Sequence, residues 1–148
     1  MPALFTFGRI LFAVLFIYSG ATKLFDIQQA ADFINAKVTI PSLLAPYTSQ
    51  LETMASMPMP RILAYAVGGF EILSGLMIAV NILARFFSIL LIFFVLAATF
   101  YFHDFWNQPS TDGKMVIDAL KNLSIIGALF MIAGYGRGPR NSEPAYDV

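Results

Sequence analysis

Residues 61–80 read RILAYAVGGFEILSGLMIAV. Twenty residues at 1.5 Å each make a helix about 30 Å long, the thickness of a bilayer's hydrocarbon core. The stretch carries charge only at Arg61 and Glu71. In hydrocarbon the backbone must satisfy its own hydrogen bonds, so a helix is the expected form, and the run lacks the alternation of a transmembrane strand. Glu71 lies ten residues from Arg61, about 15 Å along the helix and close to the midplane. A carboxyl group there needs a partner or a proton, and it should face other helices rather than lipid. The spacing agrees. Ala64, Gly68, Glu71, Gly75 and Ala79 recur at intervals of four, three, four and four, a small-residue stripe of the kind that lets helices approach closely in membranes.

The rest of the chain fits this reading. Of 148 residues, 58% are hydrophobic and 12% charged, with mean hydropathy +0.72. That is too little polar surface for a soluble domain of this size. A net charge of zero gives no nucleic-acid footprint. With no cysteine there is no disulfide, dithiol or thiolate metal chemistry within the chain, and a single histidine argues against a multi-histidine metal or haem site. The 15 Phe and 7 Met suit lipid contact and apolar packing first, and a flat hydrophobic ligand second.

Three further spans are expected at about 7–25, 85–103 and 116–135, with the second at about 62–80, all in one membrane domain over residues 1–148. The first is longer than a signal-peptide core and has no positive region before it beyond Arg9, so it reads as a retained span. The expected fold is an all-α integral membrane four-helix bundle, with short amphipathic helices between spans one and two. In the segment 26–61, Asp26 is placed to cap a helix in which Ile27, Ala30, Ala31, Ile34 and Val38 share a face. After Pro41, residues Leu44, Tyr47, Leu51 and Met54 suggest a second piece. Both can lie on the membrane surface or cover the mouth of the bundle. Met57-Pro58-Met59-Pro60 should end the segment. A tight connection at Asn81 to Ala84 makes spans two and three antiparallel neighbours. Thr111-Asp112-Gly113 reads as a turn before span four, and the tail after Gly136 reads as irregular.

The other spans also gather polar or small residues on one stripe: Arg9, Ala13, Phe16, Gly20 and Lys23; Arg85, Ser88, Ile92, Leu96, Thr99 and His103; and Lys121, Ser124, Ala128, Met131 and Tyr135. Four such stripes facing inwards make a bundle with a polar seam. Arg9 and Arg85 lie on one side of it, Lys23, His103 and Lys121 on the other, and Glu71 between. Arg9 is long enough to reach towards Glu71 in a charge-assisted pair, or Arg9 and Arg85 snorkel to head groups. His103, followed by Asp104, Phe105 and Trp106, is either an interfacial residue or a proton-exchanging group at the mouth. Lys23 and Lys121 either bind a carbonyl or anionic oxygen or anchor their helices. The candidate binding set is Glu71, Arg9, His103, Lys23, Lys121 and Arg85, with no metal site and no catalytic residue assigned. Arg9, Arg85, Arg137 and Arg140 on short flanks, against Lys23, Lys37, Arg61, Lys114 and Lys121 across the membrane, are read as placing both termini in the cytoplasm.

The chain resembles the DoxX family of small bacterial membrane proteins. The resemblance rests on Gly8-Arg9 followed by Gly20 and Lys23, then Gly69-Phe-Glu71-Ile-Leu-Ser-Gly75, Arg85, Ala97-Ala98, His103, Gly127 and the terminal Tyr135-Gly-Arg-Gly-Pro-Arg-Asn-Ser142. It departs from the family in the turn before Arg85, which reads Ala79-Val-Asn-Ile-Leu-Ala where a glycine is usual, and in Gly-Arg-Gly-Pro for Gly-Pro-Gly. The resemblance implies a four-span protein of the bacterial inner membrane, associated with quinone-linked oxidoreductase systems. The expected function is an accessory or quinone-interacting component of such a system, with oxidoreductase subunits or further copies of itself as partners, quinone as the candidate ligand and no covalent cofactor. The alternatives are a non-enzymatic scaffold and, third, a small oligomeric transporter, for which the sequence offers no inverted repeat or broken helix.

Overall fold

The computed structural model describes residues 2–102 and 114–135, and every regular element among them is helical. In chain order these are α1 (Pro2–Phe25), α2 (Ile27–Lys37), a 3-10 turn (Ser42–Leu44), α3 (Ala45–Ala55), α4 (Met59–Ala79), α5 (Ala84–Phe102) and α6 (Lys114–Tyr135). The helices α1, α4, α5 and α6 are long and apolar enough to span a bilayer. Their outer faces carry exposed large apolar side chains, among them Phe7, Leu11, Val14 and Tyr18 on α1, Leu76 on α4, Phe93 on α5 and Phe130 on α6. Such a surface suits lipid, and the chain is an all-α membrane helical bundle.

Spans one and two begin earlier than the apolar runs suggest. Helix α4 takes in Met59 and Pro60, which the sequence reading assigned to the preceding segment. Proline is tolerated in a first turn, where its missing N–H is not needed. The Glu52 carboxylate, at the end of α3, accepts from Met59 N at 2.6 Å and caps the helix.

Helices α1 and α4 form the most extensive contact of the bundle, antiparallel and close. A Cβ on Gly20 would lie 2.5 Å from the carbonyl oxygen of Gly68, and one on Gly75 would lie 3.1 Å from that of Ala13. The inner stripe of α1 foreseen above, with Arg9, Ala13, Phe16 and Gly20 buried, therefore meets the stripe of α4. This contact also sets the register. Gly20 is level with Gly68 to Ile72, so the first two turns of α4 run on beyond the end of α1. There α2 folds back over them, and Ala31 and Ile34 pack with Ala64. The chain turns from α1 into α2 at Asp26, whose carboxylate accepts from Gln29 N at 3.1 Å as the cap foreseen. Helix α3 buries none of its residues, and Met54 is 84% exposed. Of the two amphipathic pieces, only α2 closes on the bundle.

The main core joins α1 (Ala13, Phe16), α4 (Ile78), α5 (Leu91, Ile92, Val95) and α6 (Ile126, Leu129, Ile132). Two expected stripes are corrected here. On α5 the buried face is Ala84, Ser88, Leu91, Ile92 and Val95, so Arg85 and Leu96 point outwards. On α6 the buried face runs through Ile126, Leu129 and Ile132, so Lys121, Ser124, Met131 and Tyr135 are exposed. In lipid both faces of a helix can be apolar, so polarity alone does not mark the inner one. Between α4 and α5, Asn81 takes the left-handed conformation (φ 63°), and Ile82 N bonds back to Met77 O at 2.9 Å. The turn expected at Thr111-Asp112-Gly113 and the tail after Gly136 lie outside the described residues.

Candidate functional site

Lys23 occupies the last turn of α1, where a cation complements the helix dipole. Side chains of a helix lean towards its N-terminus. In an antiparallel pair, Lys23 on α1 and Glu71 on α4 therefore lean towards each other. Lys23 Nζ lies 2.8 Å from Glu71 Oε2. The ammonium also donates to Ser19 Oγ at 2.8 Å and to Ser19 O at 3.3 Å, one turn back on α1. Glu71 is only 4% exposed. A carboxylate this deep is costly to desolvate, and the ammonium offsets that cost through a charge-assisted hydrogen bond. The Lys23 side chain keeps 31% of its surface and faces a cavity.

That cavity has a volume of about 830 Å³ and lies between the end of α1, α2, α4 and the last turns of α5. Its walls are mostly apolar: Val67 and Leu63 from α4, Ile34 and Phe33 from α2, Phe94 and Phe102 from α5. The Phe33 and Phe102 rings stack at 4.9 Å, tying α2 to the end of α5. The cavity's polar lining comprises Thr22, Lys23 and Asp26 at the α1–α2 elbow, Gln29 on α2 and Glu71 on α4. Tyr101 of α5 also lines it. An apolar chamber of this size with a few directed polar groups is the ordinary form of a small-molecule site.

Of the residues singled out in the sequence, the structure brings Lys23 and Glu71 together. Arg9 does not pair with Glu71. Glu71 stands at the level of Gly20, eleven residues along α1 from Arg9, or about 16 Å, beyond the reach of an arginine side chain. Arg9 is instead buried at the opposite end of the bundle. Lys121 is exposed and pairs with Asp118 one turn away at 2.9 Å, outside the cavity lining. Arg85 is exposed at the start of α5, and His103 lies outside the described residues. Sequence reasoning missed Ser19, although its i, i+4 spacing to Lys23 was a usable signal. It also missed Asn122, which donates to Thr99 Oγ1 at 2.9 Å and joins α6 to α5. Phe33 and Tyr101 were missed too, because only the α2 fold-back makes them cavity walls.

A family model described as DoxX matches residues 4–104, which contain the Lys23–Glu71 pair and every residue lining the cavity. No curated protein and no solved structure matches the chain.

Proposed function

The chain belongs to the DoxX family, which is associated with membrane oxidoreductase-related roles, and from that premise we propose that it is a quinone-interacting component of a bacterial membrane oxidoreductase system. The observation that carries the reading is the Lys23–Glu71 pair set in the wall of an 830 Å³ apolar chamber. The residues present fit a flat apolar ring bearing polar oxygens. Phe33, Phe94 and Phe102 line the chamber as aromatic walls, and Lys23 offers a donor. The 3.3 Å contact to Ser19 O is the weakest of the three Lys23 bonds and the one a ligand oxygen displaces. Glu71 holds Lys23 in place and stands where it can exchange a proton with that oxygen. A bound quinone supplies two-electron, two-proton chemistry. This chain's part is to bind it, orient its oxygen and handle a proton. With no cysteine and one histidine in the chain, the electrons in this reading come from a partner or pass through the ligand itself. The reading places the protein in the bacterial inner membrane with both termini cytoplasmic.

Purified protein titrated with a short-chain quinone analogue should show a saturable rise in Tm that Lys23→Met abolishes. No shift at saturating analogue contradicts the proposal. A scaffold role is the second reading, favoured by the same pair lying beside the close Gly20–Gly68 contact, where it fixes the α1–α4 register. If Glu71→Gln lowers stability while the host system keeps its activity, the scaffold reading holds.

A further inference from the structure

Arg9 projects from the inner stripe of α1, one turn inside the contact between the rings of Phe5 and Tyr135, which lie 6.0 Å apart. One turn further in, Ala13 meets Gly75 of α4. Between these levels the Arg9 side chain is enclosed by the bundle and only 7% of the residue is exposed. Its Nε is buried without a hydrogen-bond partner, and among the described residues it has no ion pair. Among the described residues the acids, Asp26, Asp32, Glu52, Glu71 and Asp118, all lie towards the other end of the molecule. Ser74 on α4 and Ser88 on α5 are fully buried, and their hydroxyls also lack partners. Among the described residues nothing compensates the desolvated Nε, a cost that an apolar residue in this position would not carry.

We propose that Arg9 anchors a second binding site, for an oxyanion, at the end of the bundle opposite the Lys23–Glu71 cavity. Nε–H and an adjacent Nη–H form a planar fork that matches two oxygens of a phosphate or carboxylate, which a lysine cannot reproduce. Seven residues, about 10 Å, separate Arg9 from the first residue of α1. An anion therefore reaches it from the membrane surface on that side, as the phosphate of a lipid head group or as a soluble phosphate. The site does not depend on the quinone reading, because the two lie at different ends of the bundle.

The test compares wild type, Arg9→Met, Arg9→Lys and the exposed control Arg85→Gln in zwitterionic detergent. Each is titrated with inorganic phosphate and, separately, with phosphatidylglycerol, while Tm is recorded. Wild type and Arg85→Gln should gain stability with one of the two. Arg9→Met should gain none, and Arg9→Lys should need at least about tenfold more ligand. A gain with phosphatidylglycerol alone identifies the lipid source, and a gain with phosphate alone identifies a soluble anion. If wild type responds to neither, or if Arg9→Met responds as wild type does, the proposal is wrong. Should Arg9→Met fail to fold, the wild type against Arg9→Lys comparison decides, because equal responses overturn the bidentate site.

Discussion

Lys23 and Glu71 form an unequal pair. Glu71 is enclosed, whereas Lys23 is partly exposed and keeps Ser19 as a second partner. Removing the lysine strands a buried carboxylate, and removing the carboxylate leaves a cation that is still solvated and bonded. Lys23→Met should therefore destabilise by about 3 kcal/mol and Glu71→Gln by about 1 kcal/mol, with the double variant less damaged than the sum of the two. Equilibrium unfolding in detergent measures all three, and additive effects would show that the two groups do not interact. The inward orientation of Glu71 was legible from its place in the small-residue stripe. Its partner was not. Arg61 marks the start of the apolar run, but α4 begins at Met59 and its first turns project past the end of α1. That offset moves Glu71 from the level between the two basic layers into the layer of Lys23.

At the scale of elements, the α1–α4 contact rests on hydrogens where other residues have side chains. Gly20→Ala would push a methyl to 2.5 Å from a backbone oxygen, so the helices must separate, at a cost of about 1–3 kcal/mol. Gly69→Ala, with nothing within 4 Å of the added carbon, should leave Tm unchanged. Equal effects of the two would contradict the close packing. Helix α2 is the roof of the cavity, and its first turn hangs on Asp26. Asp26→Ala should cost about 1 kcal/mol and speed hydrogen exchange of the amides of residues 27–37 more than those of α1. The α1, α2 and α4 faces were readable because small residues, a cap and a 3.6-residue period agreed. On α5 and α6 the reading gathered Arg85, Lys121 and Ser124 inwards. It lacked the fact that Asp118 satisfies Lys121 locally and that Leu91 and Leu129 fill the core.

For the whole molecule, four spans bring the end of α6 back to the side where α1 starts, and the turn at 80–83 lies on that same side. The chain has no cysteine, so single introduced thiols report topology without background. With cytoplasmic termini, an impermeant maleimide should label Ser49→Cys in cells whose outer membrane is permeabilised, and label Ile82→Cys only after the inner membrane is breached. The opposite pattern reverses the orientation. The bundle itself was legible from four long apolar runs and their tight or turn-rich joints. The chamber was not, because it exists only where α2, the projecting turns of α4 and the end of α5 come together.

A photoreactive quinone analogue, cross-linked in membranes and mapped by peptide mass spectrometry, tests the chamber directly. The labels should fall on α2 and on residues 94–102 of α5, and unlabelled quinone should compete them away. Labels spread over the outward faces of Phe93, Phe130 and their neighbours, or labels that quinone does not displace, would contradict a binding site at the Lys23–Glu71 pair.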